Sequence, residues 1–225
     1  MTMIWLISTL LLYGLAWLLN RRFPSILTLP VITASIAMMV VLWLLQVDYA
    51  DYAENSAFLT YMLGPGIVAF AVPLYKVRFR VVQYLPLILL GVLIGAIVSL
   101  LTTWLFALVL PLSDEVKKAL IPKNITLPIA MGVADRGAFS VPLTSVTVVL
   151  SGCFGFAFGQ KILKRMGIRH PVAKGVAMAA TSHIMGTSAS MLVSEDEGAV
   201  ALVTMAVSAV LASFFYPFIA QLFFT

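Results

Sequence analysis

Leu120-Ile-Pro-Lys-Asn-Ile-Thr-Leu-Pro-Ile-Ala-Met131 and Leu63-Gly-Pro-Gly-Ile-Val-Ala-Phe-Ala-Val-Pro-Leu74 are two apolar segments, each opened near one proline and closed by another (Pro122 and Pro128; Pro65 and Pro73). A proline inside a helix removes a hydrogen bond and clashes with the preceding turn. Backbone groups freed in this way are tolerated in a bilayer only where protein buries them or where they line a cavity. Paired, interrupted hydrophobic segments are the best pointer in a sequence to a transporter's binding site. The broken-helix positions are Gly64, Pro65 and Gly66 in one segment and Pro122 and Pro128 in the other.

The remainder of the chain sets these segments in a membrane. Its 225 residues are 62% hydrophobic and 10% charged, with a mean hydropathy of +1.07, whereas a soluble domain carries about 25% charged residues. The fold class read from this is all-α, a polytopic membrane helical bundle whose interrupted helices are broken or re-entrant, as in repeat-built transporter folds. Loops are too short for a separate soluble domain, so residues 1–225 are expected to form a single integral membrane domain in the lipid bilayer. The net charge of +5 fits basic cytoplasmic loops rather than a nucleic-acid partner. Cys153 is the only cysteine, which excludes a disulfide framework and a thiolate metal site. The first 19 residues lack a basic start and an A-x-A site, and read as a span rather than a signal peptide.

Eight apolar stretches follow one another: Met3–Leu19, Leu27–Leu45, Ala57–Tyr75, Gln83–Leu110, Ala119–Ala134, Ser140–Lys164, Pro171–Val193 and Gly198–Phe224. About 20 residues of helix cross a bilayer, and the fifth stretch is the weakest. Basic groups follow the first stretch (Arg21, Arg22) and the third (Lys76, Arg78, Arg80), and surround the sixth-to-seventh turn (Lys161, Lys164, Arg165, Arg169, Lys174). Acidic groups stand elsewhere, at Asp48, Asp51 and Glu54 and at Glu195, Asp196 and Glu197. Eight crossings would put the first and third basic groups on opposite sides, against the bias of positive loops to the cytoplasm. About seven crossings plus one re-entrant hairpin near 119–135 restores the bias and puts the N-terminus outside.

Gly91 with Gly95 and Gly155 with Gly159 form G-x-x-x-G pairs, the flat strips on which membrane helices approach closely. Trp5, Trp17, Trp43, Tyr75, Tyr84 and Trp104 read as interface anchors. Polar residues at depth are costly and tend to line a cavity or find a partner. Lys123, Asn124 and Thr126, between the two prolines of the fifth stretch, are the first candidates for solute binding. The second group lies in the seventh stretch, where His183 and Thr187 are four apart, Ser188 follows, and Gly186 offers a place to unwind. His183 reads equally as a proton-coupling group, since its charge switches near neutral pH, or as a neutral side chain bonding helices together. Asp135 and Arg136 fall at the mouth of the hairpin.

The P-K-x-x-T-x-P-I-A-M run from Pro122, the Ser182-His-Ile-Met-Gly-Thr187 run and the following Glu195-Asp-Glu-Gly-Ala199 resemble the LrgB/CidB family of bacterial membrane proteins, over nearly the whole chain. Leu63-Gly-Pro65, Ala71-Val-Pro-Leu-Tyr75 and Pro142-Leu-Thr144 add to the likeness. The resemblance implies a multi-pass protein of the bacterial cell (inner) membrane, antiholin-like or regulating murein hydrolases, partnered with a small LrgA/CidA-type membrane protein and with further copies of itself as a homo-oligomer. A plastid relative that carries glycolate and glycerate, and bacterial members linked to pyruvate, imply a secondary carrier of small organic monocarboxylates. Relatives often carry a basic residue shortly after the Gly-Thr, where this chain has Ser188-Ala189-Ser190. Lys123, His183 and backbone N–H groups at half-helix N-termini are then the donors available for an anion. Neither G-x-S-x-G nor H-E-x-x-H occurs, and His170 and His183 lack partners at ligand spacing, so neither an enzyme nor a metal or cofactor site is expected.

Overall fold

The structure is a computed structural model that describes residues 3–23, 25, 28–69 and 71–224, and all regular structure among them is helical. Leu27, which opens the second apolar stretch, and Phe70, inside the third, lie outside the described residues. Contacts divide the chain into two units, Met1–Ala71 and Val72–Thr225.

The first unit holds α1 (Ile4–Arg22), α2 (Pro30–Leu44), α3 (Tyr49–Asn55) and α4 (Ala57–Ala69). Pro30 begins α2, where its missing N–H has no helical partner to lose. Between α1 and α2 the Thr28 hydroxyl accepts from Asn20 Nδ2 at 3.0 Å and donates to the Phe23 carbonyl at 2.6 Å. Asp48 caps α3 by accepting from the Ala50 N–H at 3.3 Å, and Tyr52 reaches the Thr9 hydroxyl of α1 at 3.1 Å. The interruption expected at Gly64, Pro65 and Gly66 is not where the chain breaks, because α4 continues through all three. The proline ring holds φ near its helical value, and the helix carries the lost hydrogen bond and the crowding of the preceding turn without ending there.

In the second unit, α5 (Ala71–Gln83) takes Pro73 in its first turn, where N–H groups are unpaired in any helix. Then come α6 (Leu85–Val109), α7 (Asp114–Ala119), α8 (Leu127–Arg136), α9 (Val141–Phe154), a π-helical turn Gly155–Gly159, α10 (Gln160–Arg165), α11 (Pro171–Met191) and α12 (Glu195–Phe224). Four helices of the described chain are long and apolar enough to cross a membrane, namely Ile4–Arg22, Leu85–Val109, the continuous rod Val141–Arg165, and Glu195–Tyr216. The surface of α6 inverts the soluble rule. On α6, Ile88, Val92, Ser99 and Thr103 are buried, two of them polar, while Leu93, Ile94, Ile97, Val98 and Leu101 are exposed. An apolar surface of that extent is stable in lipid and not in water. The protein is a multi-pass membrane protein.

Two hairpins lie among the three long rods of this unit. The first is α7, the turn 120–126, and α8. The Ala119 carbonyl accepts from the Thr147 hydroxyl at 2.8 Å, and the Asn124 amide oxygen lies 3.2 Å from the Ser151 hydroxyl. The inbound arm therefore runs alongside α9 in the same direction, and α8 returns to the start of α9. Ala138 (φ 53) makes that last turn, with the Phe139 N–H donating to the Ala134 carbonyl at 2.8 Å. Ile121, Ile125, Ala130 and Val133 of the hairpin pack on Ala212 and Tyr216 in the second half of α12.

The second hairpin is α11 itself. The seventh apolar stretch reads as one helix in sequence, but His183 sits at φ 43, ψ −118 and splits it into two rods. Behind that bend the outbound arm packs on the inbound one, since a Cβ added to Gly186 would lie 2.1 Å from the Met178 carbonyl oxygen. Eight residues of straight helix would hold those two positions about 12 Å apart. Gly186 is thus the place of close approach, and the unwinding expected there falls three residues earlier. Gly167 (φ 75) ends α10 in the left-handed conformation that glycine adopts at least cost, with the Ile168 N–H donating to the Leu163 carbonyl at 3.0 Å.

Both G-x-x-x-G pairs pack on the inbound arm of α11. Added Cβ atoms would lie 2.4 Å from Val176 Cγ1 at Gly91 and 3.1 Å from Ala180 Cβ at Gly95. At Gly155 and Gly159 they would meet Ser182 Oγ at 1.5 Å and Met178 Sδ at 2.5 Å. Lipid supplies no hydrophobic drive between helices, so such close backbone approach is what holds them.

Candidate functional site

The tips of the two hairpins converge on one chain of polar groups. Lys123, in the turn between α7 and α8, donates from Nζ to the Ser99 carbonyl at 3.2 Å, to Ser99 Oγ at 3.3 Å, and to Thr103 Oγ1. Beside it, Asn124 Nδ2 donates to Ser99 Oγ at 3.0 Å. The Ser151 hydroxyl lies 3.2 Å from Asn124 Oδ1 and 3.2 Å from the Thr181 carbonyl. Thr181 closes the inbound arm of α11 two residues before the bend, and carbonyls at a helix end lack partners from their own helix. The Thr181 hydroxyl reaches Ser182 Oγ at 3.3 Å.

Proline placement explains why this turn is free to make such contacts. Pro122 lies within the non-helical stretch and Pro128 closes it: Pro128 is the second residue of α8, preorganised for a helix start, and Thr126, the N-cap, is extended at φ −64, ψ 142. Thr126 is buried, but its hydroxyl does not cap α8.

Two cavities flank Asn124. One, of about 200 Å³, is bounded by Gly95, Ser99, Asn124, Ala180 and Tyr216. The other, of about 260 Å³, is bounded by Asn124, Ser151, Gly155, Gly159, Thr181 and Ser182. Asn124 lines both, whereas Ser151 and Thr181 line only the second of the two.

Of the residues singled out in the sequence, Lys123 and Asn124 therefore share this site, whereas His183 and Thr187 face α12. Thr187 Oγ1 donates to the Ala201 carbonyl at 3.5 Å. Both His183 ring nitrogens are buried without a hydrogen-bond partner, and the Met205 main chain lies alongside. Ser188 bonds back to the Ile184 carbonyl at 2.8 Å and takes no part in the site. The i, i+4 spacing of His183 and Thr187 does not describe one helical face, because the bend lies at His183.

Sequence reading missed Ser99, Thr103, Ser151 and Thr181. The available signal was the Ser99 and Thr103 pair, four apart in an otherwise apolar helix. It also missed Glu197, which the charge pattern sets apart from the basic residues of the sixth-to-seventh turn. Glu197 is buried, accepts from Lys174 Nζ at 2.8 Å, and accepts from Gln160 Nε2.

The LrgB-like family profile matches residues 9–222. An uncharacterized protein of Bacillus subtilis, YxaC, is 34% identical over 91% of this chain and 89% of its own. The holin-like protein CidB of Staphylococcus epidermidis is 24% identical over 97% and 96%, and the antiholin-like protein LrgB of Bacillus cereus is 26% identical over 95% of each. No solved structure matches the chain.

Proposed function

The chain belongs to the LrgB-like family, and from that premise we propose that it is an antiholin- or holin-like protein of the bacterial inner membrane. In this reading it regulates murein hydrolase activity or export together with a small LrgA/CidA-type membrane protein, as part of an oligomer. The observation that carries the reading is the likeness to proteins named for both roles along at least 95% of this chain and of theirs. Deleting the gene and restoring it, with and without the small partner, tests it. Wall-hydrolase activity on zymograms and uptake of a membrane-potential dye should change with the chain and depend on co-expression. Unaltered hydrolase activity and potential, with no co-purification, would remove this reading.

One feature favours a second reading, a secondary carrier of small organic monocarboxylates such as glycolate, glycerate or pyruvate. The Lys123 ammonium is half-buried at a hairpin tip, and its bonded partners are three neutral oxygens. A cation held at depth without a carboxylate partner favours an arriving anion. In this reading the 119–135 hairpin is re-entrant and offers Lys123 and Asn124 to the cargo. Uptake of labelled glycolate, pyruvate and lactate into proteoliposomes, with and without a pH gradient, tests it. Rates equal to protein-free liposomes would exclude it.

A further inference from the structure

The bend at His183 changes what the seventh apolar stretch does. A single helix from Lys174 to Met191 would separate the start of α11 from the start of α12 by about 25 Å. Instead, Lys174 Nζ lies 2.8 Å from Glu197 Oε2. The backbones agree: a Cβ on Gly175 would lie 2.6 Å from the Glu197 carbonyl and 3.1 Å from the Ala201 nitrogen. Further along, where the inbound arm ends at His183, the Met205 main chain lies beside it. The inbound arm of α11 and the first half of α12 thus start at one level and run in the same direction.

The rod Val141–Arg165 fixes which level that is. Its 25 residues span about 37 Å, enough to cross the hydrocarbon core. The α7–α8 hairpin hangs from its first end through the turn at Ala138, and α11 hangs from its last end through Gly167. The long helices α6 and α12 repeat the order. Ile88 and Val92 near the start of α6 pack with Val172, Ala199 and Val200. Leu100, further on, and Ala212 and Tyr216 of α12 pack with the first hairpin.

We propose that α11 is a re-entrant hairpin that enters from the membrane face opposite to the α7–α8 hairpin, and that the junction of the two tips at Ser151 is a site for a small polar solute, reached from the two faces in turn. The Ser151 hydroxyl has one proton and two acceptors at 3.2 Å, Asn124 Oδ1 and the Thr181 carbonyl. It satisfies one acceptor at a time, and the other is left for a donor on the solute. Each acceptor belongs to a different hairpin, so the hydroxyl's choice distinguishes the two tips. The 260 Å³ cavity lies toward the α10 end of the rod, and the 200 Å³ cavity extends along the second half of α12 to Tyr216. Oppositely entered half-helices meeting at mid-depth are the arrangement that lets one site face either side. The topology rests only on the rods crossing the membrane; the site deepens the carrier reading.

Single cysteines in a full-length Cys153→Ala background test it, at exposed positions at the mouths of the hairpins: Glu115→Cys and Asp135→Cys for the first, Arg169→Cys and Glu195→Cys for the second. A membrane-impermeant maleimide, added to spheroplasts or to inverted vesicles, should label the first pair from one face and the second pair from the other. Labelling of Arg169→Cys and Glu195→Cys from opposite faces, as a spanning α11 requires, would overturn the topology. Ser151→Cys, nearly isosteric, should react with a small charged methanethiosulfonate from both faces, and reaction from neither would overturn the site. Absence of monocarboxylate uptake would sink the carrier reading while leaving the labelling of the mouths unchanged.

Discussion

Lys174 and Glu197 are 23 residues apart in sequence and joined by an ion pair of 2.8 Å, with the lysine side chain 15% and the glutamate 1% exposed. This pair, with Gln160 as the second donor to the carboxylate, fastens the opening of α11 to the opening of α12 and to the end of the rod before them. The Ser194 hydroxyl adds a cap by accepting from the Glu197 N–H at 3.2 Å.

Removing one member of a buried ion pair leaves the other uncompensated, at a cost of about 3–5 kcal/mol. Lys174→Met should therefore lower the melting temperature in detergent more than Lys174→Met/Glu197→Gln, which removes both charges and keeps an amide beside Gln160. Equal losses in the single and double variants would show that the pair does not hold the hairpin.

Glycine substitutions separate packing from propensity. Gly91→Ala and Gly155→Ala insert a methyl group where Val176 Cγ1 and Ser182 Oγ already stand, at 2.4 and 1.5 Å from the added carbon. Overpacking of this kind costs about 1–3 kcal/mol. Gly132→Ala, in the interior of α8 with nothing within 4 Å, should instead stabilise by about 0.5–1 kcal/mol. Melting temperatures of the three variants give the order directly.

Much of this was legible before the fold was known. Composition gave the membrane class, and the prolines around Lys123 and Asn124 marked the non-helical turn, because proline acts locally and through the backbone. The glycine pairs marked packing faces for the same reason. The bend at His183 was not legible: histidine carries no intrinsic preference for φ 43, and surrounding contacts impose that conformation. The neighbouring Gly186 drew the expected break to itself. Pro65 misled in the opposite direction, since one missing N–H does not oblige a helix to stop. Ser151 and Glu197 escaped notice because their side-chain partners are 27 and 23 or more residues away, distances at which local pattern says nothing.

The strain at His183 is itself measurable. A non-glycine residue in this region of φ/ψ costs about 1–3 kcal/mol. His183→Ala loses the buried ring and keeps the strain, whereas His183→Gly loses the same ring and relaxes the backbone. The glycine variant should melt higher than the alanine variant. The reverse order would mean that the chain is not bent at this residue. His183→Gln, assayed for uptake across a pH gradient, asks whether the ring carries a proton. An unchanged pH response assigns it to packing between α11 and α12.

The hairpin tip gives the sharpest functional contrast. Asn124→Ala removes the contacts to both Ser99 and Ser151, whereas Thr126→Val alters a hydroxyl that does not cap its helix. If the tip holds an anion, losing a hydrogen bond to a charged group costs about 1.5–3 kcal/mol, on the order of 10- to 100-fold in affinity. Lys123→Met should abolish saturable uptake in proteoliposomes, Lys123→Arg should keep part of it, and Asn124→Ala should raise the half-saturating concentration, while Thr126→Val stays near the parent. Folded yield should be nearly constant across the set, since Ser99 and Thr103 keep an alternative bond in which the Thr103 hydroxyl donates to the Ser99 carbonyl at 2.9 Å. Uptake that is present in the parent and unchanged in Lys123→Met would place the anion elsewhere and make the lysine a tie between the turn and α6.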